Sequence, residues 1–399
     1  MSEAATLTRL RQPVCDIDLW SDEVLANPVP VYKTLRDLGP AVWLTKHKAW
    51  VVSRYSSVRK ALLDAATFTS REGIAMNSVM NQASDGIMLL ADDPEHMRLR
   101  RTFAKPLSPK ALKGLADRLT ELAEAQVDTL SHKTQFDAVS ELAHFLPLTV
   151  VTELLGLSEG GKKNMLQWAA GLFDAMGPDD YPRTVAGLAI GQEAFAYLAS
   201  LQREDMDPQG WAAALFRAAD SGEISHQEAQ NMLMDYTAPA LDTTINGLSS
   251  ALLLLGHNPQ QWQLLKHHPE RVPYAIDEAL RLESPIRAFT RVLTKDYELE
   301  GVQMYAGDRA IMQYAAANRD ERHYPHPDTF DVMRDARDHV AFGYGTHICA
   351  GRHLGKLEIQ TVLNILLRRM TDFKVVGVRT ELHNTLRGVA ELIIEPVWA

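Results

Sequence analysis

Cysteine is almost missing from this chain. Cys15 and Cys349 are the only two in 399 residues, too few for a disulfide framework. Long apolar runs are missing as well. Stretches such as Leu252–Gly256 are far too short to span a bilayer. No basic start precedes an apolar core at the N-terminus, so no signal peptide is read there. No Gly/Ser linker, low-complexity tract or internal repeat divides the sequence. Positive charge is in deficit: 41 Lys and Arg against 51 Asp and Glu leave a net charge of −10. That balance argues against a nucleic-acid partner. The expectation is a cytoplasmic protein of the bacterial type, with no membrane span.

What is present is apolar residue, 46% of the chain, ample for a large core. Pro28–Leu38 and Ser56–Asp64 read as helices. Ala41–Leu44 and Ala49–Ser53 read as a hairpin of β-branched and aromatic residues. Arg71–Leu90 reads as a loop with a short helix. Spacings of three and four predict helices over Leu112–Leu130 and Ala138–Leu155. Two more are expected within Gly171–Leu201, interrupted near Gly177–Pro182. Ser225, with Glu228 three residues on, looks like the N-cap of a long segment running to about Leu255. Pro259–His268, Pro269–Arg281 and Leu354–Met370 complete the helices. Strand-like pieces fall at Leu293–Thr294, Tyr297–Leu299, Ala310–Tyr314, Phe373–Val376 and Leu392–Pro396. The fold class is mainly α (α+β), as one large unit over residues 1–399.

One loop concentrates the chemistry. Phe342 to Gly351 reads FGYGTHICAG, with Gly343, Gly345 and Gly351 permitting backbone that other residues resist. Cys349 sits just before a predicted helix. Backbone N–H groups and a helix start can stabilise a thiolate there. Taken alone, the cysteine also fits a buried structural thiol. Phe342, Gly343, Gly345, His347, Cys349 and Gly351 resemble the F-G-x-G-x-H-x-C-x-G loop of the cytochrome P450 family. The resemblance runs from about Val29 to Ala399 and implies the P450 fold, with haem b as cofactor and Cys349 as the metal ligand. Phe342 would shield the sulfur, and a thiolate ligand would favour cleavage of the O–O bond.

Three further constellations follow the family's order. Glu278 and Arg281 form an E-x-x-R with both charges on one helical face, and resemble the family's internal ion pair. The family often has an arginine where this chain has Thr329, so Arg334 or His326 is expected to take that partner role. His96 and Arg100, four residues apart on one predicted face, match the family's propionate-binding helix. Arg291 and His347 match two more propionate positions. Asp242 and Thr243 match the acid–hydroxyl pair that relays protons to bound oxygen. Read without the resemblance, Thr243 would bond back to a carbonyl one turn earlier and Asp242 would sit on a polar face. Pro239 removes a helical N–H and is expected to kink this helix.

The resemblance places the substrate pocket at Ile74–Leu89, Leu172–Met176, Ala238–Thr243, Pro285–Phe289 and Thr385–Val389. Its apolar candidates are Ile87, Met88, Phe173, Ala240, Leu241, Ile286, Phe289 and Leu386. Such a lining suits a small or medium apolar substrate. Thr69-Ser70-Arg71, Arg281–Pro285 and Asn384–Gly388 resemble a bacterial branch that oxidises small para-substituted aromatic acids. Arg71 is either an anchor for an acidic or phenolic group or a surface arginine. The Asp235 region lacks the hydroxyl that this branch tends to supply.

The function implied is a monooxygenase that inserts one oxygen atom from O2 into a small aromatic substrate, by hydroxylation or O-demethylation. The alternatives are a peroxide-driven peroxygenase and a non-catalytic haem-binding sensor. The sequence shows no flavin or iron–sulfur domain, so electrons are expected from a separate ferredoxin and ferredoxin reductase. Arg98, Arg101, Lys105, Arg352 and Lys356 are the expected docking patch.

Overall fold

The computed structural model describes residues 12–155, 163–201 and 203–399. Parts of the expected unit over 1–399 therefore lie outside the described residues, as does the side chain of Ala238. Helices predominate. In chain order the longer ones are α1 (Val29–Leu38), α2 (Tyr55–Leu63), α3 (Glu95–Phe103), α4 (Ala116–Leu130), α5 (Phe145–Leu155) and α6 (Met165–Asp174). They continue with α7 (Pro182–Ser200), α8 (Trp211–Asp220), α9 (His226–His257), α10 (Pro259–His267), α11 (Val272–Glu283) and α12 (Arg352–Arg369).

The β part is smaller. Its strands are β1 (Val14–Cys15), β2 (Ala41–Leu44), β3 (Ala49–Val52), β4 (Phe68–Thr69), β5 (Phe136–Asp137) and β6 (Ala288–Leu293). They continue as β7 (Tyr297–Leu299), β8 (Val302–Met304), β9 (Arg309–Gln313), β10 (Met370–Thr380) and β11 (Val389–Trp398). One sheet runs β1-β2-β3-β9-β6-β4, a second β10-β11-β5, and β7 pairs with β8.

Helix α9 is the axis of the helical part, packed against α6, α8, α11 and α12. It starts at a full capping box: Ser225 accepts from the Glu228 N–H, and Glu228 reaches back to the Ser225 N–H. Two orphan donors of the first turn are thereby satisfied. The helix is continuous through Pro239. The proline ring nitrogen leaves the carbonyl of Asp235, four residues earlier, without its helical donor.

Most expected elements appear within a few residues. Three pieces differ. The stretch read as one helix over 112–130 begins as a separate turn, Pro109–Lys113, before α4. That over 138–155 opens as a π-helical turn, Ala138–Ala143, where Asp137 takes the first backbone amides. Helix α11 starts later than expected, at Val272, because Pro269–Arg271 forms a separate 3-10 turn.

Candidate active site

The cysteine loop is held open by its glycines. Gly343 and Gly345 both have φ of +70°, a region that favours glycine. A Cβ on Gly345 would lie 2.5 Å from the carbonyl oxygen of Leu62 at the end of α2. The Cys349 N–H donates to the Phe342 carbonyl at 2.8 Å, closing the loop. The loop then enters α12, whose first amides, Gly351 and Arg352, point at the sulfur. Burial pushes the Cys349 thiol up, while these N–H groups and the charges of Arg100 and Arg352 pull it down. A buried sulfur with N–H donors and cations around it is suited to bind metal as the thiolate.

Four candidate cofactor ligands converge beside it. The rings of His96 and His347 lie 4.3 Å apart. Arg100 donates to the Ile348 carbonyl, and Arg291 donates to the Thr290 carbonyl at 2.7 Å. Register explains Arg291: on β6 it shares a face with Phe289, two residues earlier, and both line the cavity. Burial, and the charges of Arg291, His96 and Arg100, hold the His347 imidazole down at about 2. Both of its ring nitrogens are buried without a partner. A cationic cluster with an orphaned imidazole lacks an anion, and two carboxylates would complete it. The residues present therefore fit the propionates of a haem set above Cys349.

The Cys349 loop, the propionate-type cluster and the residues facing them line one continuous cavity of about 260 Å³, which the cofactor and a substrate would share. Met234, Asp235, Pro239, Ala240, Thr243 and Thr244 line it from α9. Asp235, Pro239 and Thr243 recur every four residues, the stripe one helical face presents. Ile87, Met88, Phe173, Ile286 and Phe289 line it from other elements. Three expected lining residues do not. Leu241 falls off the α9 stripe and is buried in the helical core. Leu386 is buried in a bridge with Ile286, behind the wall. Arg71 turns outward: its side chain is 58% exposed and pairs with Glu95 at 2.7 Å, so it anchors nothing inside.

The acid–hydroxyl pair is split between two compartments. Thr243 lines the cavity, and its hydroxyl donates to the Pro239 carbonyl at 2.7 Å. Asp242 faces away from the cavity stripe. Its Oδ2 is buried without a partner, and burial pushes the carboxyl up to about 7. The charge of His383 draws it down, while Asp174 and Glu381 raise it. His383 itself pairs with Asp174 at 3.2 Å.

The ion-pair site is complete. Arg281 meets Glu278 through two nitrogens at 2.7 and 2.9 Å, both side chains fully buried. Arg281 also donates to the carbonyls of Asn318 and Pro327. Arg334 supplies the third member, at 3.0 Å from Glu278, and His326 contributes only its carbonyl, to Arg334. Three of the five cations expected to form a docking patch are paired with acids. Arg98 pairs with Glu228, Lys105 with Glu223, and Lys356 with Asp277. Of the five, Arg101 and Arg352 carry no ion pair among the described residues.

The sequence reading missed Asp235, Thr244 and Glu358, all in the cavity wall. Asp235 carried a usable signal, an acid in register with Pro239 and Thr243. Glu358 is fully buried on α12, and burial pushes it up to about 8.

Comparison with known proteins agrees with this geometry. The cytochrome P450 family profile matches residues 199–388. Cytochrome p450 CYP199A2 of Rhodopseudomonas palustris is 34% identical, over 96% of this chain and 94% of that protein. The vitamin D(3) 25-hydroxylase of Pseudonocardia autotrophica is 30% identical, over 86% of each chain. Among solved structures, P450BioI in complex with acyl carrier protein ligated to hexadec-9Z-enoic acid superposes with a TM-score of 0.85 at 26% identity. That match covers 94% of this chain and all of the other. The chain belongs to the cytochrome P450 family. It is a monooxygenase whose cofactor is haem b. Among the described residues no helix is long and apolar enough to cross a membrane.

Proposed function

We propose that this cytochrome P450 inserts one oxygen atom from O2 into a small, mainly apolar aromatic substrate, by aromatic hydroxylation or oxidation of a methoxy carbon. The observation that carries this reading is the cavity. Apart from its floor it is walled mainly by aliphatic and aromatic side chains, which suits an apolar ligand.

Cys349 would ligate the iron, and His96, Arg100, Arg291 and His347 would hold the propionates. Phe342, which lines the cavity floor, shields the sulfur, and Gly351 starts the helix whose amides stabilise it. Bound haem supplies dioxygen activation. The chain's own residues supply position and protons. Ile87, Met88, Phe173, Ala240, Ile286 and Phe289 exclude water and hold the substrate. Asp242 exchanges protons on the side of His383, and Thr243 holds one at the cavity wall. A carboxyl pushed up to about 7 gives and takes protons readily near neutral pH.

Electrons come from a separate ferredoxin and its reductase in the cytoplasm. The ferredoxin docks at the face carrying Arg101 and Arg352, which make no ion pair among the described residues. The test is turnover of the haem-loaded protein with ferredoxin, reductase and NADH against methoxy- and alkyl-aromatic compounds. Substrate-dependent NADH use, with formaldehyde released from a methoxy compound, is the expected result. Absence of coupled NADH use with every compound that shifts the haem spectrum would overturn it.

A further inference from the structure

The cavity holds an acid that the reaction above does not use. Asp235 is partly buried and lines the cavity. Its Oδ2 accepts the Met88 N–H at 3.1 Å, and the Leu89 N–H also faces the carboxyl. No cationic side chain pairs with it among the described residues. The cavity's arginines, Arg100 and Arg291, gather at the floor with His96, His347 and Cys349. Arg71, the other arginine that would have met a substrate acid, points outward to Glu95. Asp235 lies eight residues before Thr243 on α9, roughly 12 Å along the helix at 1.5 Å per residue.

A small substrate attacked near Thr243 therefore directs its far end toward a carboxyl group. A partly buried carboxyl held by backbone N–H groups alone, with no cation beside it, gains from a further hydrogen-bond donor. A second carboxylate there would meet like charge with no cation to offset it. We propose that Asp235 selects substrates carrying a neutral or cationic hydrogen-bond donor at the end remote from attack, and excludes carboxylates. The proposal rests on the monooxygenase reading and specifies its substrate class.

The test is an absorbance titration of the haem-loaded protein at pH 8 with two matched pairs. One pair is 4-methoxybenzamide and 4-methoxybenzoate; the other is decanamide and decanoate. In the wild type the amide is expected to bind at least about tenfold tighter than its carboxylate. Asp235→Asn keeps the acceptor for the Met88 N–H and removes the charge. It should bring each pair to within about threefold, and Asp235→Ser should do the same. A residue that only braced the Met88 segment would leave the preference unmoved in the Asn variant. The reduced carbon monoxide spectrum verifies haem in both variants. A carboxylate that binds as tightly as its amide in the wild type overturns the proposal. So does a preference that survives both substitutions, or a cavity that responds to neither amide. Response to the aliphatic pair alone overturns the aromatic reading while the amide preference is still measured.

Discussion

Arg334 Nε stands 3.0 Å from Glu278 Oε1, so one fully buried carboxylate serves two arginines. The second, Arg281, is itself fully buried. Removing the acid strands that guanidinium. Glu278→Ala should cost about 3–5 kcal/mol, the range for breaking a buried pair. Arg334→Ala, at a partly exposed side chain, should cost about 1–3 kcal/mol. Urea unfolding of the haem-loaded protein measures both. A loss under about 1 kcal/mol for Glu278→Ala would show the network to be dispensable.

Gly345 has no room and the wrong φ for a side chain. Gly345→Ala should shed haem, read as a lower ratio of haem to protein absorbance after purification. The left-handed backbone alone costs about 1–2 kcal/mol, and contact with the Leu62 carbonyl adds to it. Haem content equal to wild type would mean that the loop shifts freely.

Cys349→His should abolish the thiolate-type absorbance of the reduced carbon monoxide complex. Retention of that band would transfer the ligand role to another side chain.

Thr243→Ala should keep substrate-induced spectral shifts and raise peroxide formed per NADH severalfold. Thr243→Ser, which keeps the hydroxyl, should stay near wild type. Coupling that is unchanged in the Ala variant removes Thr243 from proton handling.

Glu358 gives stability a pH dependence. Burial raises its carboxyl from 4.5 to about 8, so the folded chain holds a proton that the unfolded chain releases. Its contribution is therefore most favourable below about pH 4.5 and is lost as pH rises through about 8. Glu358→Gln should flatten the fall of the urea midpoint between these limits and be the more stable protein at pH 9. A midpoint with the same slope in both proteins would place the carboxyl's titration in the ordinary range.

The helical frame was legible where local chemistry is strong. Ser225 and Glu228 announced the start of α9, and its expected end near Leu255 lies within two residues of His257. The π-helical turn after Asp137 was not legible, since side-chain capping competes locally with a continuing helix; nor was the break between Lys113 and Ala116. In the site, Cys349, His96, Arg100, Arg291 and His347 were all readable from their motifs, and the structure brings them together. The pocket was readable only in part. Leu241, Leu386 and Arg71 lie in the expected segments, yet segment membership does not fix which way a side chain turns.

The amino-acid sequence by itself singled out Cys349, the glycines that let its loop form, and the arginines and histidines gathered near it. These depend on short-range spacing, which a linear reading preserves. Only the tertiary structure decided that Arg334 completes the Glu278 pair, that Arg71 leaves the cavity for Glu95, and that Asp235 enters it. Those outcomes depend on the rotation of α9 and on which distant segments pack beside it, and burial in the folded interior sets the charge on the acids it encloses.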